Sequence, residues 1–175
     1  ISIGDKELKS LKEIDKYPTR MPSKSKDKEV QDLLIAAKKE GKSYGGVVEL
    51  HIKNLPAGLG QPVFRKLKSD LAVAFMSVGA VVGVDFGDGF SAVSAEGSEF
   101  HRRDLASHYG GIRGGISTGE DIVFRIAFKP TATVLDHAKK GRHDPCIMPR
   151  AIPVLEAMAY LVLMDHFLWN LADRI

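Results

Sequence analysis

The stretch Gly141-Arg142-His143-Asp144-Pro145-Cys146, with Pro149-Arg150-Ala151-Ile152-Pro153 just beyond it, gathers two guanidinium groups, an imidazole, a carboxylate and a thiol. Arginine presents a planar, permanently charged fork that suits carboxylates and phosphates. Pro153 fits the first turn of a following helix, so Arg142, His143 and Arg150 are expected shortly before a helix N-terminus whose free amide hydrogens already favour anions. This predicts a phosphate or carboxylate site. The other reading of the same residues is that Asp144 pairs with the cations and pins the loop, and the residue types leave the two level.

Other groups carry weaker signals. Gly110-Gly111-Ile112-Arg113-Gly114-Gly115 would let a backbone approach a ligand without interference from Cβ atoms, although paired glycines also make tight turns. Neither a GxGxxG fingerprint nor a Walker lysine accompanies them. Lys129-Pro130-Thr131-Ala132-Thr133 closes a predicted strand with a cation and two hydroxyls, which suits a phosphate at a strand terminus or an ordinary turn. Cys146 has cations nearby but no general base set against it, and reads as a buried, inert thiol. His166 reads as a satisfied core or rim histidine and His51 as an exposed strand residue. His101, His108 and His137 lack the spacing of metal ligands, so no metal is expected.

The elements that must position these groups follow from periodicity. Residues 1–25 are polar and basic with Pro18 and Pro22, and read as an irregular lead-in. From Ser25 the apolar positions Val30, Leu33, Leu34 and Ala37 recur at helical spacing until Gly41. Residues 47–52 read as a strand. A second helix is expected after Gln61-Pro62, with Phe64, Leu67, Leu71 and Phe75 as its apolar stripe, ending near Gly79. Residues 81–86 read as a short strand followed by the Gly87-Asp88-Gly89 turn, residues 97–109 as a polar loop, and Ile122 to Phe128 as a strand. Ile152 to Leu171 is apolar on nearly every face, which predicts a helix buried between layers.

A chain of 175 residues and 19.1 kDa suits one core. Its 44% hydrophobic and 27% charged content is that of a globular protein. No uninterrupted apolar run approaches the roughly 18 residues of a membrane span, so a soluble protein is expected. One cysteine excludes an internal disulfide framework or a multi-cysteine zinc site and suits a reducing, cytoplasmic setting. A net charge of +3, with no aromatics interleaved among the basic residues, gives no sign of a nucleic-acid partner. The start at Ile1-Ser2-Ile3-Gly4, without an initiating Met or a signal pattern, reads as a fragment or a processed product.

Read in order, Gly41-Lys42-Ser43, Pro56 to Phe64, Gly83 to Phe90, Gly110 to Gly119, Lys129-Pro130-Thr131 and Gly141 through Met158 resemble the chorismate synthase family across nearly the whole chain. The similarity corresponds to roughly the second half of a complete member, so residues 26–175 are expected to form the C-terminal half of such a domain. The resemblance implies an α+β fold, a layered sandwich with helices packed between antiparallel sheets. It implies FMN-dependent trans elimination of phosphate from 5-enolpyruvylshikimate-3-phosphate to give chorismate, with the flavin in its reduced form although no net redox occurs. NADPH, a homotetramer and a missing N-terminal half as partner come with it.

By the same resemblance, FMN contacts fall on Glu99, Phe100, Gly114, Lys129, Pro130, Thr131, Ala132, Thr133 and Arg142. Arg150 would bind substrate anions, and Asp144 would lie by the flavin ring and deliver or receive the proton of the elimination, with His143 orienting the loop. The chain departs from the family's usual pattern at Lys42, where an aspartate is common, and at Phe100, where the family has a small or amide residue. It departs again at His108-Tyr109, which lacks the usual asparagine, and at Ala132, which replaces a common serine. The family's two catalytic histidines and its arginine–serine flavin loop belong to the half that is absent here. Two other classes fit the residues: a catalytically inactive FMN- or anion-binding interaction module, and a basic anion-binding domain with a different ligand.

Overall fold

Strict alternation places Ile122, Phe124, Ile126 and Phe128 on one face of a strand, and all four are buried while the residues between them are half-exposed. That strand is the sixth of the fold. The computed structural model describes residues 2–3, 14–21, 23–102, 108–135 and 143–173. In chain order the elements are β1 (Ser2–Ile3), a 3-10 turn (Ile14–Lys16), α1 (Lys24–Glu40), β2 (Gly46–Ile52), α2 (Leu67–Met76), β3 (Val81–Phe86), a 3-10 turn (Gly89–Ser94), α3 (Gly97–Phe100), β4 (Ile112–Arg113), β5 (Ile116–Ser117), β6 (Ile122–Phe128) and α4 (Met148–Ala172). Four strands form a sheet in the order β1-β2-β6-β3, and β4 with β5 forms a two-stranded one. β1 pairs with β2, and β4 with β5, in antiparallel fashion.

The chain divides into two units, Ile1–Val48 with Ala127–Pro153, and Glu49–Ile126 with Val154–Ile175. In the first, α1 begins where Ser23 accepts a hydrogen bond from the Lys26 amide and ends at Gly41. Its buried side chains include Val30 and Ala37, and also Asp27. Burial of that carboxylate is offset by hydrogen bonds from the Thr19 amide at 3.1 Å, the Thr19 hydroxyl at 2.6 Å and Gln31 Nε2 at 2.5 Å. The expected lead-in over residues 1–25 thus contributes a strand, a 3-10 turn and a side chain, Met21, that is fully buried.

In the second unit, Leu67, Leu71 and Phe75 of α2 pack into the core, where Phe124 meets Phe75 edge-on with centroids 5.2 Å apart. The expected start of this helix at Pro62 is corrected. Arg65 lies at φ 61°, outside helical space, and the Leu67 amide bonds to the Gly115 carbonyl instead of to a preceding turn. Phe64, assigned to the buried stripe, is 83% exposed. His51 is half-buried against Glu49, not exposed as expected. The polar loop over residues 97–109 contains α3, and residues 103–107 lie outside the described set.

Helix α4 starts at Met148, earlier than Ile152, because Pro149 takes the first-turn place and Pro153 lies inside the helix. Two further expectations change here. One stripe of the helix is buried, through Leu155, Ala159 and His166, whereas Tyr160, Leu161, Met164 and Leu168 are each more than half exposed among the described residues. All-round burial is therefore not what this chain supplies by itself. By length and composition the helix is also apolar enough to cross a membrane, with a mean hydropathy of 1.5 over an 18-residue window. Glu156 and Asp165 interrupt its apolar run, so the hydropathy lies in the average and not in an unbroken stretch.

Candidate functional site

In the first unit three loops converge on the start of α4. The turn after α1, Gly41 to Gly45, is tied to the other two: the Ser43 hydroxyl donates to the Thr131 carbonyl at 2.8 Å, and the Tyr44 amide donates to the Pro145 carbonyl at 2.8 Å. The Thr131 hydroxyl donates in turn to the Asp144 carbonyl at 2.7 Å. Gly45 is required by close approach: a Cβ there would lie 2.3 Å from the Phe128 carbonyl oxygen and 3.0 Å from the Pro130 nitrogen. The loop Lys129 to Thr133 is held in place by backbone contacts on this side, leaving Lys129, Ala132 and Thr133 exposed.

Asp144 and Arg150 come together, with Oδ2 and the guanidinium 2.9 Å apart. Arg150 lies within the first turn of α4, not ahead of it as expected. A cation there opposes the helix dipole, so the neighbouring carboxylate offsets that cost while the guanidinium stays 61% exposed. Asp144 thus pairs with one of the expected cations while remaining part-exposed. His143 is buried; its Nε2–H donates to the Lys42 carbonyl at 2.9 Å, and Nδ1 has no partner among the described residues. Arg142 and Gly141, like His137, lie outside the described residues.

The departure at Lys42 leaves this arrangement intact, because His143 uses only its backbone oxygen. The Lys42 ammonium pairs with Glu40 at 2.6 Å, which raises its pKa above the ordinary lysine range. Cys146 is buried, and loss of solvent pushes its thiol pKa up. A hydrogen bond with the Met148 backbone pulls the other way, and the Asp144 charge adds to the rise. Since the thiolate is the nucleophile, alkylation of Cys146 by iodoacetamide at pH 7.5 should be more than about tenfold slower in the folded chain than in denaturant. Equal rates would show that the thiol is not shielded.

In the second unit, Gly114 and Gly115 make the two-residue turn of the β4–β5 hairpin, both with positive φ, 61° and 98°. Phe100 and Gly114 line one cavity of about 330 Å³, whose cationic lining residues are Lys68 and Arg113, with His108 on the same lining. Glu99 is exposed and does not line it. The Phe100 ring packs against His108, Tyr109 and His101 at centroid distances of 5.5, 5.4 and 5.3 Å.

Two features had little sequence signal. The Ser43–Thr131–Asp144 chain links hydroxyls 88 and 13 positions from their acceptors, so only its presence inside separate motifs hinted at it. His166 is 2% exposed and sits 2.9 Å from Asp70 on α2, a pairing no local pattern announces. Among the described residues no group of three His, Cys, Asp or Glu side chains gathers as a metal site would require.

A family model described as chorismate synthase matches residues 1–168. The chorismate synthase of Bdellovibrio bacteriovorus is 61% identical over 166 residues, covering 95% of this chain and 48% of that protein. That of Prochlorococcus marinus strain MIT 9215 is 43% identical over 193 residues, covering 97% of this chain and 53% of its own. A solved crystal structure of a chorismate synthase superposes with a TM-score of 0.80 at 31% identity, over 97% of this chain and 55% of that one, and supports the α+β fold. The chain spans about half the length of the curated relatives it matches.

Proposed function

Because the chain belongs to the chorismate synthase family, we propose that it is the C-terminal portion of an enzyme that eliminates phosphate from 5-enolpyruvylshikimate-3-phosphate to give chorismate, on the route to the aromatic amino acids. The observation that carries this reading is the Asp144–Arg150 pair at the head of α4, held by the loops at Ser43 and Thr131. A substrate with two carboxylates and a phosphate calls for an exposed guanidinium, and Arg150 answers that need; the Arg150 and Ala151 amides are already bonded to the Ile147 carbonyl, so the guanidinium and not the helix end carries the recognition. Asp144, 28% exposed and acceptor-only when ionised, takes or returns the proton lost in the elimination. His143 fixes the loop through Lys42.

Reduced FMN is the cofactor of this reading, and when bound it supplies electron density that eases departure of the phosphate without net redox. The residues fit it. In the first unit Lys129 and Thr133 offer an exposed cation and hydroxyl, with Pro130, Thr131 and Ala132 between them in sequence and Arg142 nine positions further along the chain. In the second, Phe100 and Gly114 open on a cavity with aromatic and cationic walls and no carboxylate among its lining residues. A Cβ built on Gly114 would meet nothing within 4 Å, which leaves that backbone open to a ligand. Glu99 is the weakest of the flavin assignments, since it faces solvent.

The exposed apolar side chains of α4, Tyr160, Leu161, Met164 and Leu168 among them, are the face that the N-terminal half or another copy would cover. The test is reconstitution. With reduced FMN and 5-enolpyruvylshikimate-3-phosphate under anaerobic conditions, this chain alone is expected to form no chorismate, and addition of the matching N-terminal half to restore turnover. Chorismate formation by the isolated chain would remove the need for the second half, and none from the mixture would count against the assignment of activity.

A further inference from the structure

Tyr109 is the most heavily braced ring on the cavity beside Phe100. Its hydroxyl and His101 Nδ1 share a hydrogen bond. The Arg113 guanidinium lies over its face, 4.3 Å from the centroid, and the Phe100 ring meets it at 64°. His108, next to it in the chain, is stacked on Phe100 and paired with Asp88, whose amide also bonds to the His108 carbonyl at 3.1 Å. Contacts from α3, from the hairpin and from the turn before Gly89 therefore converge on one short segment. A surface loop has no need of such bracing, whereas an aromatic wall that must meet a flat ligand in one orientation does. The cavity's volume, about 330 Å³, lies at the small end of the roughly 300–1,000 Å³ of ligand sites.

We propose that Tyr109, held by Arg113 and His101, is a positioning residue for the isoalloxazine ring of the flavin, forming the wall that orients it in this cavity. This rests on the flavin reading above and adds a residue to it. Phe100 packs directly against Tyr109, so the two rings brace one another.

A phenol in contact with an isoalloxazine ring quenches its fluorescence, because the excited ring takes an electron from the phenol and the electron then returns within the same pair. Phenylalanine does not do this. FMN is titrated into the chain, alone and mixed with its N-terminal half, with affinity and brightness of the bound flavin read together. In the wild type the bound flavin is expected to be dim. Tyr109→Phe should keep affinity within about threefold while the bound flavin brightens severalfold. Tyr109→Leu should brighten it as well and weaken binding roughly three- to tenfold. Bound FMN whose brightness and affinity are the same in all three proteins would overturn the role of Tyr109 and leave the flavin reading standing. Absence of FMN binding in both the chain and the mixture would overturn the flavin reading along with it.

Discussion

Asp144→Ala in the reconstituted enzyme is expected to lower kcat by about 10²- to 10⁴-fold while FMN affinity stays within about threefold of wild type. The backbone of that loop is anchored independently of the carboxylate, through the Thr131 hydroxyl on the Asp144 carbonyl and the Tyr44 amide on the Pro145 carbonyl. Loss of the side chain therefore removes an acid–base group without releasing the loop. It leaves Arg150 unpaired, but that guanidinium is 61% exposed, so the stability cost should be no more than about 1 kcal/mol. Arg150→Ala gives the contrasting result: its group binds the substrate's anions, so KM should rise more than kcat falls. Steady-state kinetics with a parallel urea denaturation of each variant separates the cases. A wild-type kcat in Asp144→Ala would show that its carboxylate takes no part in the proton transfer, and a matching fall in stability and rate would show that it pins the loop instead.

The largest stability effect is expected at the contact between α2 and α4 within the second unit. His166 is 2% exposed, its Nε2 lies 2.9 Å from Asp70 Oδ2, and its Nδ1 has no partner among the described residues. Trp169 packs edge-on against the imidazole, and Arg65 lies over the Trp169 ring while also approaching Asp70 at 3.4 Å. Asp70→Ala strands a buried imidazole with both nitrogens unpaired, which should cost about 2–4 kcal/mol. The reverse change is milder. His166→Leu leaves Asp70 part-exposed beside Arg65, and an apolar side chain of similar size fills the space, so about 1 kcal/mol is expected. Urea midpoints of the two variants test the asymmetry. Equal losses, or an Asp70→Ala loss below about 0.5 kcal/mol, would show that this pair does not hold the two helices together.

Much of the fold was legible because local rules decided it. β6 could be read residue for residue from its alternation, since a strand with one buried face has to place apolar groups at every second position. Helix α1 was legible at its glycine stop, Gly41, while its start was read at Ser25 and the serine that caps it is Ser23. The start of α2 was not legible, because it depends on the Gly115 carbonyl, far away in sequence, and on a left-handed Arg65. Only Pro153 was read as the first-turn proline of α4, whereas the helix begins at Met148, so that Pro149 takes that place and Pro153 lies inside.

For the site, the sequence by itself determined the chemical kit: guanidinium, carboxylate, hydroxyls and glycines in an ordered set of motifs, and a last helix apolar around its circumference. Side-chain type is a property of each residue, and so are the charges and volumes that follow from it. What the tertiary structure alone decided is which groups meet. It seated Arg150 inside a helix turn against Asp144, joined Ser43 to Thr131 and Thr131 to Asp144, and drew Tyr109 under Arg113. It also covered one stripe of α4 and left the others open. Hydrogen bonds and ion pairs act over a few ångströms, so partners far apart along the chain become partners only when packing has brought their backbones together.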